Sequence, residues 1–305
     1  MDLQATSLPK IWLRTRVDPG KPGRAVDEND VDVLLRGSAR VYKPNGDLLL
    51  VYRKSAIPLG VCEKAREAFA PIRNHKSMNR GVASGERVTP VRSTGVVSHT
   101  SEGAPVRSSI VGFFDRYPRI PYCRKTAFNA DHPGLFSEGV RPLCVAAAEV
   151  FRAEVPDRFA IQMREIKKVH PAWVIAGTPY TTLTVNHDWP TRLHHDRGDF
   201  KPGFSNMAVI RTGRYEGAWI VFPGFRVGID MGMGDLIMFD SHEWHANTPM
   251  TKHEASASRC SVVLYMREKM IDCGSPDAEL ARAKELRGGF AEQEDEEDYG
   301  NEDRP

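Results

Sequence analysis

Residues 205–250 read SNMAVIRTGRYEGAWIVFPGFRVGIDMGMGDLIMFDSHEWHANTPM. The apolar runs in this stretch are short, rich in β-branched and aromatic residues, and split by Gly, Pro, Asn and Asp, which predicts strands joined by turns. YTTLTVN (180–186) before it and RCSVVLYMR (259–267) after it continue the pattern. Earlier segments differ. GVCEKAREAFAPI (60–72) and PLCVAAAEVFRAEV (142–155) carry apolar residues at helical spacing, and DAELARAKELR (277–287) predicts a terminal helix. RVYKPNGDLLLVYR (40–53) predicts a hairpin turning at Pro44-Asn45-Gly46. Residues 73–111 are rich in Gly, Ser, Thr and Arg and poor in periodicity, and predict a long, basic, irregular segment. Short strands following a helical region predict an α+β chain with an antiparallel sandwich or barrel as its core. No internal repeat is present. The expected organisation is one domain over 1–290, with an N-terminal helical and loop cover (1–178), a core (179–270) and a C-terminal helical part (271–290). An acidic, disordered tail (291–305) follows.

The chain has 305 residues, enough for one large core, and its 41% hydrophobic and 27% charged residues exclude collagen, coiled coil and wholesale disorder. No stretch approaches the ~18 apolar residues of a membrane span, and the first residues lack the apolar run of a secretory signal. Five scattered cysteines (Cys62, Cys123, Cys144, Cys260, Cys273) without a CxxC predict free thiols in a reducing, intracellular compartment. That compartment is cytoplasmic for a bacterial or phage protein and nuclear for a eukaryotic one. The net charge of +2 conceals an asymmetry. The tail AEQEDEEDYGNEDRP holds 8 of the 40 acidic residues and one base, Arg304, so residues 1–290 carry 41 basic against 32 acidic groups, a net of +9. A basic body suits an anionic partner, nucleic acid being the commonest.

The chemistry-bearing residues cluster late. His194 and Asp196 form His-x-Asp at the end of an expected strand, where residues i and i+2 share a face and can grip one ion. His245 follows His194 by 51 positions, just after the run GDLIMFD. Two histidines and one carboxylate make a facial triad for non-haem Fe(II), with positions left open for a co-substrate and O2. His242 competes as the second histidine, since His242 and His245 would also share a face of a helical turn. His195 is expected to face away, and His187 and His253 to be ordinary loop residues. Arg259, 14 positions after His245, and Ser261 form Arg-x-Ser on the next strand, suited to holding a carboxylate. Arg259 taken alone also fits a structural ion pair.

In TTLTVNHDWPTRLHHDRGDF (181–200), in 205–250, and above all in HANTPM followed by RCSVVLYM, the chain resembles the Tet/JBP family of Fe(II)- and 2-oxoglutarate-dependent 5-methylpyrimidine dioxygenases. The likeness covers roughly 180–270 well and 73–85 loosely. It implies a double-stranded β-helix (jelly roll). It also implies Fe(II) on His194, Asp196 and His245, and 2-oxoglutarate on Arg259, Ser261 and Arg192. The implied reaction is hydroxylation of a pyrimidine 5-methyl group in DNA, with O2 consumed. Asp199, three positions after the metal carboxylate, falls where the family's base pocket often has a polar residue. A carboxylate there accepts from thymine N3–H or from the exocyclic amine of 5-methylcytosine, and Asp199 also fits a cap of the turn Arg-Gly-Asp. Asn79 and Arg80 are the other substrate-binding candidates. Arg87, Arg92 and Arg107 are candidates for the phosphates flanking a flipped base. Tyr215, Trp219 and Phe222 fit either base stacking or the core. The expected partner is DNA, met by a monomer away from any membrane. Two other readings stay open: an oxygenase of a small molecule or protein side chain, and a non-catalytic reader of modified DNA.

Overall fold

The computed structural model describes residues 8–77, 81–84, 87–90, 97–100, 106–117 and 120–291. A nine-stranded sheet runs in the order Lys10–Trp12, Ala39–Tyr42, Leu48–Arg53, Leu236–Phe239, Ser205–Thr212, Ser258–Tyr265, Thr182–His187, Ser108–Phe114, Arg124–Lys125. All its neighbours are antiparallel except Lys10–Trp12 with Ala39–Tyr42. A four-stranded sheet, Ala246–Asn247, Ile220–Phe222, Val227–Ile229 and Val33–Leu35, faces it. The expected strand-rich core is therefore present.

Alternation along one strand sorts the two cores. Met207 and Val209 join Ile220, Phe222, Val227, Ile229, Leu50 and Phe239 in the layer between the sheets. Ala208 and Ile210, from the same strand, point the other way into a layer with Cys62, Ala65, Leu143, Ala147 and Phe151. That second layer is roofed by helices Leu59–Ala68 and Arg141–Glu154. A one-residue slip of Ser205–Thr212 would exchange the two faces; both are apolar, so the register is set by side-chain volume, Met207 and Val209 filling one layer and Ala208 and Ile210 the other.

Four local features depart from the sequence reading. The N-terminal part is more than a cover: five of the nine large-sheet strands lie before residue 126. The segment read as irregular over 73–111 contains the paired strands Arg87–Pro90 and Val97–Thr100 and the start of the buried strand Ser108–Phe114, paired with Thr182–His187. Serines at its start, and Gly112 with φ +101° where a Cβ would lie 2.7 Å from the Thr181 carbonyl, hide its strand character. A helix, Pro156–Ile166, follows Arg141–Glu154 directly, opened by proline at its first position. Finally, Cys123 and Cys273 form a disulfide with Cα atoms 5.8 Å apart, leaving three buried free cysteines. Their separation of 150 positions made the pair invisible in sequence, and five free thiols no longer argue for a reducing compartment. Tail residues 292–305 lie outside the described residues. Among the described residues, no helix is long and apolar enough to cross a membrane.

Candidate active site

The run Thr191–His194 lies beside Ala246–Asn247 at the edge of the smaller sheet. Asn247 donates its N–H to the Thr191 carbonyl, and His194 and His245 exchange two backbone hydrogen bonds of 3.0 and 2.9 Å. That exchange brings their rings to a centroid distance of 4.4 Å. Asp196 completes the group. Its Oδ1 is 3.8 Å from His194 Nε2 and its Oδ2 is 3.5 Å from His245 Nε2. One ligating atom from each of the three residues lies within 4.8 Å of the others.

Both imidazoles are aimed by backbone. His194 Nδ1 donates to the Arg192 carbonyl at 2.7 Å, and His245 Nδ1 to the Glu243 carbonyl at 2.8 Å. With Nδ1 committed, each Nε2 presents a lone pair toward Asp196, the tautomer a cation requires. Burial disfavours the charged form of His245, but the neighbouring Asp196 outweighs it and raises the imidazole pKa. A cation between these atoms would take over that compensation. The donor set of two neutral imidazoles and one carboxylate fits Fe(II).

The other histidines stand apart from this group. His242 stands outside the group: its Nδ1 is 3.5 Å from Asp240 Oδ1, in a turn rather than a helix. His195 turns away as expected, its ring tilted against that of Trp244 at 4.4 Å and accepting from Arg197 Nε. His253 sits by Glu216 Oε1, 3.3 Å away. His187 is no loop residue. It closes a strand, is buried, and burial pulls its pKa down to about 4.

Arg259 and Ser261 share a face of Ser258–Tyr265, opposite to Cys260 and Val262, which belong to the helix-side core. Arg259 is 3% exposed, yet its Nη2 has no hydrogen-bond partner among the described residues. It forms no salt bridge among the described residues, so the structural ion-pair alternative finds no partner there. Opposite Ser261 stands Asn186, and opposite Asn186 stands Ser108. Asn186 Oδ1 and Ser108 Oγ are also buried without partners among the described residues. A row of orphaned polar atoms beside a buried guanidinium is costly unless a polar, anionic ligand satisfies it, so these residues fit a dicarboxylate keto acid.

Sequence reading missed Ser108, Asn186 and the support of Arg259. Asp188 accepts the Arg259 N–H at 2.7 Å on Oδ1 and donates its own N–H to the Arg259 carbonyl at 2.9 Å. Lys252 Nζ holds its Oδ2 at 2.8 Å. Asp188 has φ +51°, a left-handed conformation a β-carbon residue adopts only under constraint. The available signal was an Asp directly after the run YTTLTVNH.

Asp199 is buried, but it does not cap its own turn. Its Oδ2 accepts from Ser205 Oγ (2.5 Å) and Ser241 Oγ (3.1 Å). Burial, and then the charge of Asp196, push its pKa up to about 7 against the pull of Ser205, Arg267 and Ser241. Tyr215 and Phe222 belong to the core and are not free to stack on a base; Phe222 backs the His245 ring at 6.0 Å. Trp219 is half-buried, packed in a small apolar cluster that also holds Trp244. Arg192 gives its carbonyl to His194 and its N–H to the Ala83 carbonyl. Arg107 is exposed. Asn79, Arg80, Arg92 and the side chain of Arg87 lie outside the described residues.

A profile of the Tet/JBP oxygenase domain of the 2OGFeDO superfamily matches residues 109–268, more than half of the chain, including His194, Asp196, His245, Arg259 and Ser261. The chain belongs to the Tet/JBP family. Among its relatives, the bifunctional helicase and thymine dioxygenase JBP2 of Trypanosoma brucei brucei (strain 927/4 GUTat10.1) is 25% identical over 275 residues, covering 89% of this chain and 23% of that protein. The thymine dioxygenase JBP1 of Trypanosoma brucei brucei is 33% identical over 173 residues, covering 54% and 20%. This Tet/JBP chain thus spans about a fifth of the length of the curated relatives it matches. The structure of NgTET1 in complex with 5mC DNA superposes with a TM-score of 0.61 at 14% identity, covering 92% of this chain and 91% of that one. The shared fold supports the jelly-roll expectation.

Proposed function

We propose that this Tet/JBP chain is an Fe(II)- and 2-oxoglutarate-dependent dioxygenase that hydroxylates the 5-methyl group of a pyrimidine in DNA, acting as a monomer. The observation that carries the reading is the His194, Asp196 and His245 group alongside a buried Arg259 whose Nη2 has no partner among the described residues. His194, Asp196 and His245 would hold the metal. Arg259, with Ser261 and Arg192, would hold the keto acid, the guanidinium meeting its distal carboxylate. When bound, these groups supply the oxidising chemistry, O2 and 2-oxoglutarate becoming succinate and CO2 as one oxygen atom enters the substrate methyl.

The chain's own residues bind, orient and exclude water. Phe222 and Phe239 back His245 at 6.0 and 5.3 Å and keep that side of the centre dry. Asp199 faces the base, accepting from its N3–H or exocyclic amine, with Asn79 and Arg80 as further substrate contacts. A base in a duplex must leave the stack to reach this depth, at a cost of a few kcal/mol. The basic body, with Arg107 exposed on it, suits the flanking phosphates. The relatives' names favour thymine as the base, giving 5-hydroxymethyluracil; 5-methylcytosine is the competing substrate.

The test is nucleoside mass spectrometry after incubation with Fe(II), 2-oxoglutarate and either thymine-rich or 5-methylcytosine DNA. A new hydroxymethyl nucleoside and matching succinate, both lost in His194→Ala, are expected. Succinate release without a new nucleoside on either DNA would move the substrate away from DNA. No succinate at all would leave a binding module.

A further inference from the structure

The short segment from Asp240 to Glu243 orients two of the three ligands without supplying one. The Glu243 carbonyl accepts from His245 Nδ1. The Ser241 carbonyl accepts the Asp196 N–H at 2.9 Å. The positions of these two carbonyls therefore set where an imidazole and a carboxylate point. The segment is a turn, with Glu243 N–H on the Asp240 carbonyl and Asp240 N–H on the Leu49 carbonyl. A turn of this kind holds its shape only as well as its ends are tied down.

One side chain ties both ends. Lys43, 9% exposed, sits in the hairpin turn after Ala39–Tyr42, far from the metal ligands in sequence. Its Nζ donates to Asp240 Oδ2 at 2.7 Å and to Glu243 Oε1 at 2.8 Å. Asp240 Oδ1 accepts the His242 N–H, and Arg16 Nη2 takes the second Glu243 oxygen at 2.8 Å. The lysine's own backbone is fixed, its N–H on the Asp47 carbonyl and its carbonyl under the Gly46 N–H. A buried ammonium across two carboxylates is a poor way to gain stability, because desolvation offsets most of the attraction. It is an effective way to fix the distance between them.

We propose that Lys43 is a positioning residue for the metal centre: by bridging Asp240 and Glu243 it holds the Ser241 and Glu243 carbonyls where they aim Asp196 and His245. The inference rests on reading His194, Asp196 and His245 as that centre. Outer partners of metal ligands typically govern 10- to 100-fold in affinity, and Lys43 acts one step further out through a rigid turn.

The experiment compares wild type, Lys43→Met and the triple variant Lys43→Met/Asp240→Asn/Glu243→Gln by Co(II) titration, recording the dissociation constant, the visible Co(II) absorption bands and the apo melting temperature. The triple variant removes the stranded carboxylate charges, and with them the folding penalty, but not the loss of the bridge. The expected result is a Co(II) dissociation constant about 10-fold or more weaker with altered bands in both variants, while the apo melting temperature of the triple variant returns toward wild type. If Lys43→Met does not fold, the triple variant alone gives the same reading. A wild-type dissociation constant and spectrum in the triple variant would overturn the proposal and leave Lys43 a structural ion pair. Failure of the wild type itself to take up Co(II) would overturn the metal centre, and the proposal with it.

Discussion

Replacing Arg259 with methionine is expected to stabilise the ligand-free protein while removing its response to 2-oxoglutarate. Arg259 is 3% exposed and its Nη2 is unpartnered among the described residues. Burial pulls the guanidinium pKa below its ordinary value, against the favourable influence of Tyr215, Cys260 and Asp188. A buried donor without a partner costs about 1–3 kcal/mol, and more when charged. Methionine keeps much of the apolar stem's volume and removes that cost. A gain of about 1–1.5 kcal/mol corresponds to a rise of roughly 1.5–2.5 °C in Tm for a chain of this size. With ligand the sign reverses. Saturating 2-oxoglutarate at about 100 times its Kd stabilises the wild type by about 2.7 kcal/mol. Losing a buried charge-assisted contact costs about 2–5 kcal/mol of affinity, which leaves the variant a gain of under about 1 kcal/mol at the same ligand concentration. Thermal melts with Mn(II), with and without 2-oxoglutarate, should therefore cross, the variant melting higher without ligand and lower with it. Two results would refute the reasoning. A ligand-free variant less stable than wild type by more than about 1 kcal/mol would make the guanidinium a structural element. An undiminished 2-oxoglutarate shift would place the co-substrate carboxylate elsewhere.

Asp188→Ala should raise KM for 2-oxoglutarate about 10-fold with little change in kcat, because the carboxylate fixes the Arg259 backbone rather than touching the reacting methyl; steady-state succinate assays read this directly, and a fall in kcat alone would sink it. Glu279 is buried against Arg116 and the N–H groups of Cys123 and Gly274. Burial opposes its charge, but these partners win and hold its pKa below the ordinary value. Its stabilising contribution is therefore complete above its unfolded pKa and is lost as pH falls through the lower folded one. Glu279→Gln should flatten the acid limb of a Tm-against-pH curve below about pH 4.5, and a parallel limb in wild type and variant would contradict the assignment. Reduction of Cys123–Cys273, which closes a 150-residue loop, should cost about 2–5 kcal/mol, read as a lower Tm with dithiothreitol. Equal melts of Cys123→Ser and wild type under oxidising conditions would show that the bond contributes nothing.

The parts of the site that were legible in sequence are those carried by residue type at short spacing. His-x-Asp, the distal His245 after GDLIMFD, and Arg-x-Ser opening RCSVVLYM are patterns of residue type at short spacing, so the candidate metal group and the candidate arginine could be picked out from the sequence. Strands such as Ser205–Thr212 were legible because one face buries Met207 and Val209 and the other Ala208 and Ile210, and both faces are apolar. The strand Ser108–Phe114 was not, because serines and a left-handed glycine replace that signal where the sheet turns polar toward the site.

What the amino-acid sequence determined by itself is the chemistry: two imidazoles, a carboxylate, a guanidinium and their order along strands of the right length. What only the tertiary structure decided is how those groups are aimed and held. Lys43 reaches Asp240 and Glu243 across about 200 positions, Asp188 grips Arg259 across 71, and Cys123 meets Cys273 across 150. No local pattern records such partners. A hydrogen bond or disulfide depends on distances of a few ångströms, which chain folding sets and sequence separation does not.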